Sequence, residues 1–126
     1  TGASKAAALT VPALQGKFNG LSVRVPTPVV SLSDITAVVK KDTTVEEINE
    51  VFKKAAKSKE LKGILDVTDE ELVSKDFVGN PHSCIVDLPL TDVVCGNMIK
   101  VVAWYDNEWG YSNRLVELAV DFGKGR

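Results

Sequence analysis

Short strand-like segments in the second half of the chain, with helical patterns before and after them, most constrain its fold. These segments are rich in β-branched and apolar residues and are separated by turn-forming residues, which is typical of strands. They are predicted at residues 64–67, 72–77, 83–88, 91–94 and 98–105. Because helices and strands are segregated along the chain, we expect an α+β fold with a mixed, largely antiparallel sheet and helices on one face.

Three helices are predicted around these strands. Residues 4–14 carry apolar side chains at helical intervals. Thr44 and Glu47 form a capping-box pattern immediately before an apolar helical stripe, which makes this helix the most securely predicted. Residues 108–122 return to helical spacing. The apolar side of this last helix consists of Leu115, Leu118 and Phe122.

Two further strands are predicted between the first and second helices. Residues 21–25 alternate apolar and polar side chains with period two and end at Pro26. Residues 29–41 are rich in β-branched side chains and are long enough for an extended strand. We expect these two strands to pair as neighbours across the proline-containing turn.

The composition of the chain excludes several classes of protein. Its 126 residues, 44% hydrophobic and 25% charged, suit one globular domain. A net charge of −2 without a basic surface argues against nucleic-acid binding. No apolar run approaches the ~20 residues that cross a bilayer, so no membrane partner is expected. The first residues lack an initiator methionine and a leader pattern, so we expect a piece of a longer protein.

The sequence offers no metal site and no complete catalytic constellation. Cys84 and Cys95 form no CxxC motif and no cysteine–histidine pair at metal spacing, so we expect two buried, reduced thiols. His82 follows Asn80 and Pro81 in a predicted turn and is interpreted as structural. Neither a GxGxxG fingerprint nor a P-loop is present.

Residues 104–114 concentrate aromatic side chains at the junction of the last strand and the last helix. Both tryptophans and both tyrosines of the chain lie in this run, beside Asn107 and Gly110. One interpretation is an aromatic core cluster that closes the sheet. The other is a loop that places aromatic and carboxamide groups beside a flat ring ligand, such as a nucleotide cofactor. The pattern alone leaves both open.

A second candidate site lies at the other end of the chain. Thr1 and Gly2 precede a predicted helix, whose free N–H groups and dipole favour an anion. Arg24 offers a planar two-donor fork that suits phosphate. The alternatives are an ordinary helix entry for the Thr-Gly pair and a solvated or salt-bridged arginine.

The motifs, taken in order, resemble one known family. They resemble the C-terminal part of phosphorylating glyceraldehyde-3-phosphate dehydrogenase across nearly all of the chain. The most specific are the run WYDNEWGYSNR together with TGASKA and RVPTP, and their spacing also matches. The segments that carry the resemblance are residues 1–6, 14–20, 24–28, 61–65 and 104–114.

The resemblance implies that residues 1–126 are the C-terminal segment of the catalytic domain. The cofactor-binding Rossmann domain and the segment with the catalytic cysteine and histidine would be absent. The complete enzyme would oxidatively phosphorylate glyceraldehyde 3-phosphate to 1,3-bisphosphoglycerate with NAD or NADP and inorganic phosphate. Cys84, Cys95 and His82 lack the family's catalytic contexts, so this segment holds no catalytic residue and is expected to be inactive alone.

The resemblance also assigns binding roles to residues of this chain. Thr1 and Gly2 match residues that contact the attacking inorganic phosphate, and Arg24 matches an arginine that holds substrate phosphate. Asn107 matches the asparagine whose amide binds the nicotinamide carboxamide, and Tyr111 matches its aromatic neighbour. Trp104 and Trp109 are expected mainly to pack.

Further expectations follow from the same resemblance. The complete protein would be a homotetramer, cytoplasmic or in the plastid stroma, and the last helix would dock on the missing Rossmann domain. Two alternatives remain open at this stage. One is the related enzyme that acts on erythrose 4-phosphate, and the other is a non-catalytic α+β interaction module.

Overall fold

A computed structural model describes residues 2–125, apart from the side chains of residues 3–5. Three α-helices and four strands form the fold, with two short 3₁₀ turns at Pro12–Leu14 and Ser74–Phe77. In chain order, the elements are α1 (Gly2–Thr10), β1 (Ser31–Val38), α2 (Val45–Ala56), β2 (Leu65–Thr68), β3 (Cys84–Val94), β4 (Met98–Tyr105) and α3 (Trp109–Gly123).

The four strands form one mixed sheet in the order β1-β4-β3-β2. β4 runs antiparallel to both β1 and β3, whereas β2 runs parallel to β3. The register pairs Ser31 with Tyr105, so the start of β1 lies beside the end of β4. The predicted α+β class and the mixed, largely antiparallel sheet are confirmed.

One face of the sheet is covered by α2. The helix begins with the predicted capping box, in which the Thr44 hydroxyl accepts the Glu47 N–H at 3.2 Å and the Glu47 carboxylate accepts the Thr44 N–H at 3.3 Å. Ile48 is the buried residue of α2 and packs against alternate residues of β3 and β4. The residues buried around Ile48 are Val86, Leu88, Val101 and Ala103.

A smaller core lies on the opposite face of the sheet. Val30, Phe77 and Ile85 are buried there, and the Trp104 ring stacks on Phe77 with centroids 5.2 Å apart. The strand predicted at residues 72–77 is wrong, because this segment ends in a 3₁₀ turn. The Asp76 carboxylate accepts the Val73 N–H at 2.9 Å, which closes the turn, and the turn places Phe77 against the sheet.

The strand predicted at residues 21–25 is also wrong. This segment has no regular secondary structure, and Leu21 and Val23 are 81% and 74% exposed. β1 takes β4 as its neighbour instead, because β4 supplies a complete antiparallel ladder over all eight residues of β1. The alternation at residues 21–25 therefore marks apolar side chains that nothing in residues 2–125 buries.

The two strands predicted at residues 83–88 and 91–94 are one strand, β3. The pairing with β4 is irregular between Asp87 and Asp92, where Pro89 cannot donate a ladder hydrogen bond. A turn joins β3 to β4, with positive φ at Cys95 (52°) and Gly96 (78°). Both cysteines are free, but the expectation that they are buried is wrong, because Cys84 is only partly buried and Cys95 is exposed at this turn.

Within residues 2–125, no helix combines the length and the apolar character needed to cross a membrane.

Candidate functional site

The loop between β4 and α3 is organised by Asp106, which is 3% exposed. One carboxylate oxygen accepts the N–H groups of Glu108 at 3.0 Å and Trp109 at 2.8 Å, and the other accepts the Gly79 N–H at 2.8 Å. The first pair of bonds satisfies amides at the start of α3 that have no partner inside the helix. Asp106 therefore caps α3 and ties it to the loop before β3.

The environment of Asp106 keeps its carboxylate ionised. Burial alone would raise the pKa, but the hydrogen bonds from the amides of Trp109, Gly79 and Glu108 together outweigh it and lower the pKa below the ordinary value. The carboxylate also lies at the N-terminal end of α3, where the helix dipole favours negative charge. The cap is therefore charged at neutral pH.

Gly110 allows α3 to approach the loop before β3 closely. A β-carbon at this position would lie 2.8 Å from the carbonyl oxygen of His82, which belongs to the backbone and cannot move freely. His82 is itself held in a turn, because its N–H and its ring Nδ1 both contact Asn80 Oδ1, at 3.0 and 2.9 Å. These contacts hold the His82 backbone, whose carbonyl faces Gly110.

Arg114 fixes the next turn of α3. Its Nη1 donates to the Gly63 carbonyl at 3.1 Å and to Ser83 Oγ at 3.3 Å, and its Nη2 pairs with Glu117. These bonds join the helix to the loops at the ends of β2 and β3. Together with Asp106 and Gly110, Arg114 gives α3 a fixed direction relative to the sheet.

The two tryptophans of the loop behave differently. Trp104 packs as expected, because its ring stacks on Phe77 and its Nε1–H donates to the buried Asp87 carboxylate at 2.9 Å. Trp109 is 53% exposed. The aromatic run therefore contains one tryptophan that packs in the core, Trp104, and one that is half exposed to solvent, Trp109.

Asn107 extends from this fixed loop into solvent. Its Oδ1 accepts a hydrogen bond from the Ser31 hydroxyl at 3.2 Å. Its Nδ2 group has no hydrogen-bond partner among the described residues. Tyr111 lies in the first turn of α3, four residues further on, and is 66% exposed. An amide donor and a phenol ring are thus both available to a ligand.

The predicted phosphate-binding residues lie apart from this loop. Thr1 is outside the described residues, and Gly2 is exposed at the start of α1. Arg24 is exposed in the irregular segment before β1. No hydrogen bond or ion pair of the described residues joins Gly2 or Arg24 to Asn107. Asn107 and Tyr111 lie four residues apart at the start of α3, and both are exposed, whereas no contact among the described residues joins Gly2 or Arg24 to them.

Sequence reasoning missed three residues that build the site. Asp106 carried a usable signal, since an aspartate just before a helix is a preferred cap. Gly110 carried a weaker signal, because a glycine near the start of a helix often marks a close approach of the backbone. Ser31 carried no local signal, since its contact with Asn107 depends on the pairing of β1 with β4.

The described residues offer no metal centre and no activated thiol. No group of three potential metal-ligating side chains lies together among residues 2–125. Burial raises the pKa of the Cys84 thiol, which therefore stays protonated at neutral pH. An open groove of about 1000 Å³ lies between α2 and the segment after β1, and its lining includes no residue of the loop that carries Asn107. The chemistry available in the loop is hydrogen bonding and ring contact.

Comparison with known proteins gives one consistent result. The sequence model of the family described as glyceraldehyde 3-phosphate dehydrogenase, C-terminal domain, matches residues 1–107. The chain is 55% identical to glyceraldehyde-3-phosphate dehydrogenase of Zymomonas mobilis over 124 residues, which are 98% of this chain and 37% of that protein. It is 57% identical over 119 residues to glyceraldehyde-3-phosphate dehydrogenase 2 of Synechocystis, and these residues are 94% of this chain and 35% of that protein.

A plant protein is similar to the same extent. The chain is 56% identical over 119 residues to the chloroplastic glyceraldehyde-3-phosphate dehydrogenase GAPA1 of Arabidopsis thaliana, covering 94% of this chain and 30% of that protein. The chain therefore spans about a third of the length of the curated relatives it matches.

Proposed function

The chain belongs to the family of glyceraldehyde 3-phosphate dehydrogenase C-terminal domains, and from this premise we propose that it is the C-terminal segment of the catalytic domain of such an enzyme. The complete protein oxidises glyceraldehyde 3-phosphate with NAD or NADP and transfers the acyl group to inorganic phosphate. The segment alone is inactive, because the described residues include no paired nucleophile and base. The relatives named glyceraldehyde-3-phosphate dehydrogenase favour this substrate over erythrose 4-phosphate and over a non-catalytic module.

The exposed amide donor of Asn107, on a loop that is held in place, carries the proposal. When bound, the nicotinamide ring accepts a hydride, and its carboxamide offers a carbonyl oxygen that an amide N–H can bind. The unpartnered Nδ2 of Asn107 is a donor of this kind, held on a loop that Asp106 fixes. A fixed donor restricts the rotation of the ring, so that one face meets the substrate. Tyr111 provides an exposed ring in the first turn of the helix that follows Asn107.

Thr1, Gly2 and Arg24 are proposed to bind phosphate groups. Gly2 opens a nine-residue helix, whose first N–H groups suit an anion. Arg24 is exposed and pairs with no carboxylate among the described residues, so its guanidinium remains available.

The exposed apolar side of α3 supports a larger assembly. Leu115, Leu118 and Phe122 are 52%, 55% and 73% exposed, which is unusual for one side of a helix in water. We propose that this side docks on the cofactor domain of the complete protein. The complete protein is further proposed to be a homotetramer, cytoplasmic or plastidic.

The complete protein tests the proposed reaction. Purified full-length protein should reduce NAD or NADP with glyceraldehyde 3-phosphate, and the rate should depend on inorganic phosphate. A higher kcat/KM for erythrose 4-phosphate would favour the alternative substrate. The absence of any phosphate-dependent reduction of either dinucleotide would contradict the proposal.

Replacement of Arg24 tests the phosphate site separately. Arg24→Ala in the complete protein should raise the KM for phosphate or aldehyde by about tenfold or more, because charged hydrogen bonds contribute about 1.5–3 kcal/mol. The affinity for the dinucleotide should stay within about twofold. Lys17→Ala, another exposed cation of the irregular segment, is the matched control. Unchanged KM values for both substrates would remove Arg24 from the site.

A further inference from the structure

The side chain of Asn107 is held by a residue from a distant part of the sequence. Ser31, 76 residues earlier, donates its hydroxyl proton to Asn107 Oδ1 at 3.2 Å. This contact is the only hydrogen bond of the Asn107 side chain within the described part of the chain. The loop backbone is fixed by Asp106, whereas the amide orientation is fixed by Ser31.

The sheet explains why Ser31 reaches Asn107. Ser31 is the first residue of β1 and pairs with Tyr105, the last residue of β4. Asn107 follows two residues after Tyr105. A shift of the β1 register by one residue would turn the Ser31 side chain to the other face of the sheet. The hydroxyl is thus positioned by the same ladder that orders the core.

The residue before Ser31 shows that the start of β1 is held firmly. Val30 has a φ of 76°, in the left-handed region that β-branched residues strongly avoid. Its side chain is buried against Phe77 and Ile85. Such backbone strain persists only where the surrounding structure determines the conformation, and it is common beside ligand sites. The strained residue immediately precedes the hydroxyl that holds Asn107.

We propose that Ser31 is a positioning residue for nicotinamide binding. Its hydroxyl binds the carbonyl end of the Asn107 amide, so that the NH₂ end faces outward to the carboxamide of the ring. A primary amide that is free to rotate would offer its acceptor as often as its donor. This inference rests on the proposed function and goes beyond it, because it names a residue that acts only through Asn107.

A double-mutant cycle in the complete protein tests the proposal. The variants are Ser31→Ala, Asn107→Ala and the double variant, and the control is Ser33→Ala, a half-buried serine two residues further along β1. Each is titrated with the dinucleotide that the protein reduces and with the analogue that lacks the nicotinamide ring, ADP-ribose or its 2′-phosphate.

The expected result is specific to the ring. Ser31→Ala should weaken dinucleotide binding by about threefold to tenfold, the range of one neutral hydrogen bond. It should leave binding of the ring-less analogue unchanged. In the Asn107→Ala background, Ser31→Ala should have no further effect, because the two residues act as one unit. Ser33→Ala should match the wild type with both ligands.

Other results would overturn the proposal in distinguishable ways. Equal weakening of both ligands, or a Ser31→Ala effect that persists without Asn107, would show a general structural role. No effect of Ser31→Ala beside a clear effect of Asn107→Ala would exclude Ser31 and keep the proposed function. If Asn107→Ala also leaves dinucleotide binding unchanged, the role proposed for Asn107 fails as well.

Discussion

Asp106→Ala should release the start of α3. The carboxylate accepts three backbone N–H groups at 2.8 to 3.0 Å from a position that is 3% exposed. Each hydrogen bond to a charged group contributes about 1.5–3 kcal/mol. Because water can replace part of the three bonds at a loop, we expect the start of α3 to lose about 3 kcal/mol of local stability. This corresponds to about 100-fold more frequent local opening.

Amide hydrogen exchange in the complete protein measures that opening directly. Peptides covering residues 108–113 and 78–82 should lose about 100-fold protection, whereas α2 should be unaffected. Asp121→Ala, an exposed aspartate of the same helix, is the control and should change nothing. A change below about threefold in both peptides would refute the role of Asp106 as the cap.

The same variant has a defined pH dependence. The pKa of Asp106 is lowered in the folded protein, so its contribution is present above the unfolded pKa of about 3.9 and is lost only as the pH falls through the folded value. The difference in protection between wild type and Asp106→Ala should therefore stay constant from about pH 7 to pH 5. A difference that declines within this window would contradict the charged cap.

Two further substitutions test the packing of the helices. Gly110→Ala places a β-carbon 2.8 Å from the His82 carbonyl oxygen, so it should destabilise the protein by about 1–3 kcal/mol and lower its thermal unfolding midpoint. The control is Gly123→Ala in the same helix, where a β-carbon meets no atom within 4 Å, and it should be neutral or slightly stabilising. Equal midpoints for both glycine variants would contradict the close approach. Thr44→Ala should cost about 1 kcal/mol by removing the capping box of α2, which faster amide exchange in the first turn of that helix would reveal. Unchanged exchange there would argue that the box contributes nothing.

Local patterns in the sequence were sufficient for much of the fold. The capping box at Thr44 and Glu47 predicted the start of α2, because both partners lie within one helical turn. The boundaries of β4 were also predicted correctly, since a turn with positive φ precedes it. These features depend on contacts only a few residues apart.

The errors came from contacts between distant residues. The alternation at residues 21–25 resembles a strand, but a strand also needs a neighbour, and β4 pairs with β1 instead. The exception is the segment at residues 72–77, which favours β-structure, although a local hydrogen bond from the Val73 N–H to the Asp76 carboxylate closes a turn there. At the site, Asn107 was identified by resemblance, whereas Ser31 becomes visible only when the register of β1 and β4 is known.

The most direct test of the account is the effect of Asn107→Ala on binding of the nicotinamide ring. Titration of the complete protein should show that the variant binds the dinucleotide about threefold to tenfold more weakly than the wild type, because one neutral hydrogen bond from the exposed amide donor is lost. Binding of the analogue without the ring should be unchanged. Equal affinities of variant and wild type for the dinucleotide would show that Asn107 does not hold the nicotinamide.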